Sequence, residues 1–239
     1  MIIKRDRSII PACDVSLSRL EELAKITAKI DQVGAYKLGF VLGLSVGLSK
    51  AVEVIRRYTD KPIIYDHQKG ATDIPSTGQK FASVCKDAGI NAVIFFPQSG
   101  PVTQREWIDA ARNQGLGVIV GGSMTHPGYK LSEGGYISDE AIDKIYLDAA
   151  NEGVTDFVMP GTKPEEIRRL RKILENAGVV PTIYSPGLGA QGGDIAKGLE
   201  AAGSKWHPII GRAIYDAPDI RKAVVRFVEA LEGGNEQYL

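Results

Sequence analysis

Cysteine is scarce in this chain, which has two of them, Cys13 and Cys85, among 239 residues. Two cysteines supply no disulfide framework, and neither belongs to a spacing typical of metal ligands. This usage is typical of a reducing compartment. The opening residues also lack the apolar run of a signal peptide. No apolar stretch comes near the length of about 20 residues that is needed to span a bilayer. We therefore expect a soluble, cytoplasmic protein.

An excess of either charge is also missing, because 29 Lys and Arg residues balance 29 Asp and Glu residues. A protein without a broad basic field is not expected to bind nucleic acid or an anionic membrane surface. Any anionic ligand must then be bound by a local site.

Short apolar runs recur along the chain, and each is apolar at successive positions rather than at every second one. Such runs are typical of strands that are buried on both faces, and therefore of a parallel sheet. The eight predicted strands are 8–14, 35–41, 62–66, 92–97, 117–121, 156–160, 181–185 and 206–211.

Helical patterns lie between these runs. Leu20, Leu23, Ile26 and Ile30 recur at helical spacing, and glycines that end helices precede the next strand at 34, 89, 115, 153, 178 and 203. About eight strand–helix units in this length predict an α/β fold, a TIM (β/α)₈ barrel that forms a single domain over residues 1–239. An open doubly wound sheet is the alternative, but no G-x-G-x-x-G motif follows the first strand.

Chemically active residues gather where the predicted strands end. The active site of a barrel forms at the carboxyl ends of its strands. The residues at these ends are Asp14, Lys37, Asp66, Lys69, Asp73, Pro97, 123–126, 160–162, 186–191, Gly211 and Arg212. Each has an ordinary alternative, such as capping a helix, but charges that end buried strands need partners or a ligand. Their shared face therefore predicts a functional site.

The loops after the last two strands predict a phosphate site. SPGLGAQGG (185–193) follows strand seven, and IIGRAIY (209–215) ends strand eight. These are the loops that commonly bind phosphate in a barrel, because backbone N–H groups and a helix N-terminus face the anion there. Arg212 can bind two phosphate oxygens through its planar guanidinium. A tight turn beside a surface arginine is the alternative.

The third strand ends in YDHQKGATDIP (65–75), where two carboxylates flank a lysine. Asp66 and Asp73 would keep Lys69 in its charged form, since opposite charges about 4 Å apart favour ionisation. Such an ammonium is suited to protonating carbon or to stabilising an anionic intermediate. Lys37 could extend this into an alternating charge array. A solvated loop rich in Asp and Lys is the alternative.

Several motifs together resemble the orotidine 5′-monophosphate decarboxylase family, particularly its shorter archaeal type. The resemblance extends from the first strand to the last. It is carried by PACD (11–14), YKLG (36–39), SMTHPG (123–128), MPGTKPE (159–165), SPGLGAQGGD (185–194) and IGRAIY (210–215). It implies conversion of orotidine 5′-monophosphate to uridine 5′-monophosphate and CO₂ in pyrimidine biosynthesis, without a metal or a cofactor.

The resemblance also implies roles for single residues. Asp14 and Lys37 would contact the ribose hydroxyls, and Thr125 would contact the pyrimidine edge. Asp73 and Thr77 would reach into the site of a neighbouring subunit, which implies a homodimer with shared active sites.

The phosphate would be bound at the strand-seven and strand-eight loops. Its implied contacts are Pro186, Gln191, Gly211 and Arg212, with Tyr215 nearby.

The centre of the motif departs from the family pattern. The family has Asp-x-Lys-x-x-Asp-Ile-Pro, whereas this chain has two more residues, one in each gap. A spacing of three puts Asp66 and Lys69 on opposite faces of a regular strand. We therefore expect a β-bulge near His67 and Gln68. We also expect His67 and His126 to form structural hydrogen bonds rather than to act as catalytic bases.

The mechanism that follows is electrostatic. Lys69 would stabilise the carbanion at C6 and protonate it, while Asp66 would lie against the departing carboxylate. Two alternatives are a Mg²⁺-dependent sugar-phosphate decarboxylase or hexulose-phosphate synthase of the same superfamily, and a non-catalytic nucleotide-phosphate binder. The first of these needs an acidic metal ligand after strand two, and GFVLG (39–43) supplies none.

Overall fold

Eight parallel strands close into a barrel in which each strand pairs with its neighbours in sequence and β8 pairs with β1. The computed structural model describes residues 2–189 and 193–233, with the backbone alone for Gln68 and Lys69. The strands are β1 (Ile10–Cys13), β2 (Tyr36–Leu38), β3 (Ile63–Gly70), β4 (Ala92–Phe95), β5 (Gly117–Gly121), β6 (Asp156–Val158), β7 (Thr182–Pro186) and β8 (Trp206–Ile210). The predicted barrel is confirmed.

Helices follow the strands around the outside. They are α1 (Leu17–Thr27), α2 (Phe40–Ser45), α3 (Leu48–Arg56), α4 (Thr77–Asp87), α5 (Pro101–Asn113), α6 (Asp139–Asn151), α7 (Pro164–Asn176), α8 (Ile195–Ala202), α9 (Arg212–Tyr215) and α10 (Ile220–Leu231). No helix in the described ranges is long and apolar enough to cross a membrane.

The core has two layers, because alternate residues of each strand point into the barrel and out towards the helices. Along β1, Ile10 and Ala12 belong to the inner layer, whereas Ile9 and Cys13 belong to the layer under the helices. The same alternation carries Asp14, two residues beyond Ala12, to the inner side of the barrel mouth. Both faces of each strand are therefore buried, as the continuous apolar runs predict.

Strand two is shorter than predicted. The pattern predicts a strand over 35–41, but β2 ends at Leu38, and Phe40 begins α2 after the extended residue Gly39. Phe40 and Val41 lie on the surface, 43% and 37% exposed. Hydrophobicity alone does not distinguish a buried strand from a short helix that covers the barrel rim.

The glycines that precede the strands have two different functions. Gly89, Gly115, Gly153, Gly178 and Gly203 have positive φ, the left-handed conformation that ends a helix and favours glycine. Gly34 does not have positive φ, and α1 already ends at Thr27. A Cβ at Gly34 would lie 2.1 Å from Ser8 Oγ, so Gly34 permits close packing beside β1. Its prediction as a helix stop is wrong.

Candidate active site

A cavity of about 230 Å³ opens at the carboxyl ends of the strands. It is lined by Ala12, Asp14, Lys37, Asp66, Ile94, Phe96, 123–125, Val158, 186–188, Ile209, Gly211, Arg212 and Tyr215. These residues lie on all eight strands or shortly after them, so they come together only because the barrel closes. Its apolar members point inward between the strands, and its charged members lie at the rim.

Lys37 lies at the centre of the charged residues. Its Nζ is 3.1 Å from Asp66 Oδ2 and 3.9 Å from Asp14 Oδ2. Lys37 is 6% exposed and Asp66 is 4% exposed. Burial alone would lower the pKa of Lys37, but the carboxylates of Asp66 and Asp14 outweigh this and raise its pKa above the ordinary value. Opposite charges about 4 Å apart attract by about 4 kcal/mol at an effective dielectric near 20, which explains the direction.

Asp14 has one carboxylate oxygen without a protein partner. Its Oδ2 faces Lys37, whereas its Oδ1 is shielded from solvent and has no hydrogen-bond partner within the described part of the chain. An unsatisfied buried acceptor costs about 1–3 kcal/mol. Because Asp14 lines the cavity, a hydroxyl group of a bound molecule could satisfy this oxygen.

Strand β3 has a bulge at the barrel mouth. Asp66 pairs with Ile94 and Gly70 pairs with Phe95, so β3 advances four residues while β4 advances one. The ladder resumes after the bulge, where Phe96 N donates to Gly70 O at 2.8 Å. The predicted bulge is confirmed. Lys69 lies inside it, but its side chain lies outside what the structure describes, so the expected contact with the two aspartates stays a prediction.

His67 anchors the start of the bulge on the outer face of the barrel. Its Nδ1 lies 2.5 Å from the Tyr65 hydroxyl, and its ring packs edge-on against Phe81 of α4 with centroids 5.9 Å apart. His67 therefore forms a side-chain hydrogen bond, as predicted, and its lack of a role as catalytic base stays a prediction. The ring of His126 lies 6.2 Å from that of Tyr129, and His126 does not line the cavity.

Asp73 and Thr77 lie away from the cavity of their own chain. Asp73 is exposed, and its carboxylate accepts a hydrogen bond from the N–H of Ile74 at 2.7 Å. Thr103 Oγ1 donates to the Asp73 carbonyl and Trp107 Nε1 donates to the Ile74 carbonyl, both at 3.1 Å. The segment is thus fixed against α5. Its predicted contact with a neighbouring subunit's site stays a prediction.

The end of the cavity opposite the bulge carries the predicted phosphate residues. Pro186 of β7 pairs with Ile209 of β8, which places Pro186 beside Gly211 and Arg212 at the rim. A Cβ at Gly189 would lie 3.0 Å from Ala213 Cβ, so the glycine lets the strand-seven loop pack against α9. Gln191 lies outside the described residues.

An arginine from α1 fixes the far end of α9. Arg19 donates from Nε and Nη2 to the carbonyl of Tyr215 at 2.9 and 2.5 Å. Burial and the nearby Asp14 raise the pKa of Tyr215. The sequence gives no sign of the Arg19 contact, because the two residues lie far apart in the chain.

Sequence reasoning places Thr125 correctly in the cavity wall but misses other members. Ile94 and Phe96 line the cavity because they continue the inward-facing positions of β4, a signal that period-two alternation could have revealed. Ser123, which the sequence also places at the end of strand five, lines the cavity as well, and its hydroxyl donates to Glu166 Oε1 at 3.1 Å. No local pattern points to Glu166. Among the described residues, no group of three or more His, Cys, Asp and Glu is arranged to bind a metal ion.

Comparisons with known proteins agree with this geometry. Residues 8–227 match the family described as "Orotidine 5'-phosphate decarboxylase / HUMPS family". The orotidine 5'-phosphate decarboxylase of Methanosarcina barkeri is 35% identical over 237 residues, which cover 98% of this chain and 99% of that protein. That of Methanosarcina mazei is 33% identical over 96% of this chain and 97% of its own.

Solved structures give the same result. The orotidine 5'-monophosphate decarboxylase of Methanocaldococcus jannaschii, complexed with the inhibitor BMP, superposes with a TM-score of 0.82 at 27% identity, over 94% of this chain and 98% of that one. The enzyme of Pyrococcus horikoshii superposes with a TM-score of 0.77 at 28% identity, over 94% of this chain and 99% of that one.

Proposed function

The chain belongs to the orotidine 5'-phosphate decarboxylase family, and from this membership we propose that it converts orotidine 5′-monophosphate to uridine 5′-monophosphate and CO₂. It is accordingly a carbon–carbon lyase of pyrimidine biosynthesis. The observation that carries the proposal is the Asp14–Lys37–Asp66 array at the mouth of the barrel, in which Lys37 and Asp66 are buried, with Arg212 across the same cavity.

The two ends of the cavity suit the two ends of a nucleotide. Arg212, the backbone N–H of Gly211 and the side-chain amide of Gln191 would bind the phosphate through charge-assisted hydrogen bonds, and Pro186, which has no N–H to donate, would pack against the bound substrate. Asp14 and Lys37 would bind the ribose hydroxyls, and the Oδ1 of Asp14, which has no hydrogen-bond partner in the described part of the chain, is suited to accept from one of them. Binding energy from the phosphate would then fix the reacting end of the substrate.

The pyrimidine would lie between the strand-five segment and the bulge of β3, with Thr125 at its edge. The bond between C6 and the carboxylate carbon breaks, CO₂ leaves, and the electron pair stays on C6. We propose that the Lys69 ammonium stabilises this pair and transfers a proton to it, and then regains a proton from water. Asp66 would lie against the substrate carboxylate and favour its departure. Lys37, already paired with Asp66, would keep the array charged.

We further propose a homodimer with shared active sites and a cytoplasmic location. Asp73 is fixed beside α5, and neither Asp73 nor Thr77 lines the cavity of its own chain, which suits residues that complete a neighbour's site. The exposed Ile74 between them, 60% accessible, suits an interface. Both cysteines are free and buried, as expected in a reducing compartment.

A direct assay tests the reaction. Purified protein is mixed with orotidine 5′-monophosphate in EDTA, and the loss of orotate absorbance and the release of CO₂ are measured beside Lys69→Ala. We expect turnover that survives EDTA and is abolished in the variant. Tight binding of uridine 5′-monophosphate without turnover would instead indicate a nucleotide binder, and a requirement for Mg²⁺ with a sugar phosphate would indicate the other branch of the superfamily.

A mixing experiment tests the shared site. Lys69→Ala and Asp73→Asn variants are each inactive if both residues are needed. After unfolding and refolding together, about half of the dimers are hybrids with one intact site, so about a quarter of the wild-type activity returns. No recovery of activity, in samples shown to contain hybrid dimers, would contradict the shared site.

A further inference from the structure

Glu166 is a largely buried carboxylate that lies outside the cavity. It belongs to the first turn of α7, and its side chain is 9% exposed. Buried carboxylates are rare unless they are paired. Glu166 Oε2 lies 2.8 Å from Lys130 Nζ, and its Oε1 lies 3.6 Å from Arg169 Nη2. The two cations offset the free-energy cost of burying the Glu166 carboxylate.

The same carboxylate binds a residue of the cavity wall. Ser123 is 2% exposed, lines the cavity, and donates its hydroxyl to Glu166 Oε1 at 3.1 Å. Close by, Thr162 Oγ1 donates to the carbonyl of Thr125 at 2.9 Å. Two residues of the segment 123–125 are therefore hydrogen-bonded to α7 or to the loop before it, and the segment itself lines the cavity.

Glu166 also connects to the long loop after β5. Lys130 of that loop lies 2.8 Å from Glu166 Oε2 and 3.9 Å from Glu133 Oε1, and Lys163 lies 2.6 Å from Glu133 Oε1. The hydrogen bond to Glu166 is the largest cause of the raised pKa of Lys130. These four alternating charges join the loop after β5 to α7 and to Lys163, which directly precedes α7.

We propose that Glu166 is a positioning residue for the decarboxylase reaction: through Ser123 and Lys130 it holds the segment 123–125 in the place where it contacts the pyrimidine. Glu166 touches no substrate atom in this arrangement. The proposal rests on the proposed function. It states that Glu166 fixes the geometry of the pyrimidine end of the site.

Glu166→Gln tests the proposal, with Glu165→Gln as its control. Glu165 precedes it on the same turn, is 88% exposed and pairs with Arg168. In Glu166→Gln we expect KM for orotidine 5′-monophosphate and Kd for uridine 5′-monophosphate to rise about tenfold, the size of a lost hydrogen bond to a charged group. We expect kcat to stay within about twofold, because the contact is made to both ground and transition states. Glu165→Gln should match the wild type in all three.

A merely structural role gives a different result. It would lower the melting temperature and the active fraction, so that kcat falls at unchanged KM, and that outcome overturns the proposal. The proposal is also overturned if Glu166→Gln and Glu165→Gln have the same KM and the same Kd. A wild type without decarboxylase activity contradicts the proposed function instead, while the shift in Kd for the nucleotide still tests Glu166.

A double-mutant cycle tests the route through Ser123. If Glu166 acts through that hydroxyl, Glu166→Gln raises KM by a smaller factor in a Ser123→Ala background than in the wild type. If the two substitutions raise KM by independent factors that simply multiply in the double variant, the route through Ser123 is contradicted. Should Glu166→Gln fail to fold, Ser123→Ala alone must raise KM by severalfold at unchanged kcat, and an unchanged KM overturns the proposal.

Discussion

His207 makes the stability of the barrel depend on pH. It lies on β8, is fully buried, and contacts Ser8 Oγ through Nδ1 at 2.8 Å. Its ring packs against Tyr184 with centroids 5.0 Å apart, and within the described ranges its Nε2 has no hydrogen-bond partner. Protonation would place a charge in the barrel with one N–H unsatisfied. Burial accordingly lowers the pKa of His207 from 6.5 to about 4.

The sign and size of the effect follow from linkage. Between pH 4 and 6.5 the unfolded chain binds a proton that the folded chain does not, so the free energy of unfolding rises with pH in this window. The stabilisation is complete above pH 6.5 and is lost as the pH falls towards 4. With these two pKa values, His207 removes about 2 kcal/mol of stability between pH 7 and pH 5.

Urea unfolding of the wild type and of His207→Asn at several pH values checks this prediction. Asparagine keeps a polar atom near Ser8 but does not titrate, so its free energy of unfolding should vary less between pH 7 and pH 5, by about 2 kcal/mol. His126→Asn is the control, since His126 is exposed and its removal should leave the pH dependence of the wild type. Parallel curves for the wild type and His207→Asn would refute the reasoning.

Four other substitutions have definite expected outcomes. Arg212→Ala should lower kcat/KM by at least tenfold through lost phosphate contacts; a change within about twofold in steady-state assays would count against the phosphate site. Lys37→Met should lower the free energy of unfolding in urea by about 3 kcal/mol, because it removes the buried cation that lies 3.1 Å from Asp66 Oδ2 and 3.9 Å from Asp14 Oδ2, and wild-type stability would contradict this. His67→Ala and Tyr65→Phe each remove the hydrogen bond at the bulge and should lower kcat by about fivefold; unchanged kcat in both would show that the bulge needs no such anchor.

The bulge of β3 shows how much of the local structure can be predicted from the spacing of residues in a motif. Two extra residues in the Asp66–Lys69–Asp73 motif predict that the strand cannot stay regular, and the shift of register between Asp66 and Gly70 confirms it. The number of residues that leave the ladder depends on how β4 pairs beyond the bulge. That pairing is a contact between distant parts of the chain, so the motif cannot specify it.

Strand two shows the opposite limit. Apart from Lys37 the run 35–41 carries no charged residue, yet β2 ends at Leu38 and α2 begins at Phe40. Strand and helix bury the same residue types, and the choice depends on where the barrel rim ends. Local composition therefore cannot place the boundary.

By itself the sequence determined the repeated strand–helix unit and the position of Asp14, Lys37 and Asp66 at the mouth of the barrel. The first follows from apolar runs that alternate with helical patterns, and the second from the carboxyl ends of the predicted strands, where the active site of a barrel forms. Only the tertiary structure decided that Lys37 lies between two carboxylates, that Glu166 binds Ser123 across 43 positions of the chain, and that His207 is buried with no partner for Nε2 among the residues that the structure describes. Those contacts join residues that are distant in sequence, and their distances are set when eight strands close into one ring.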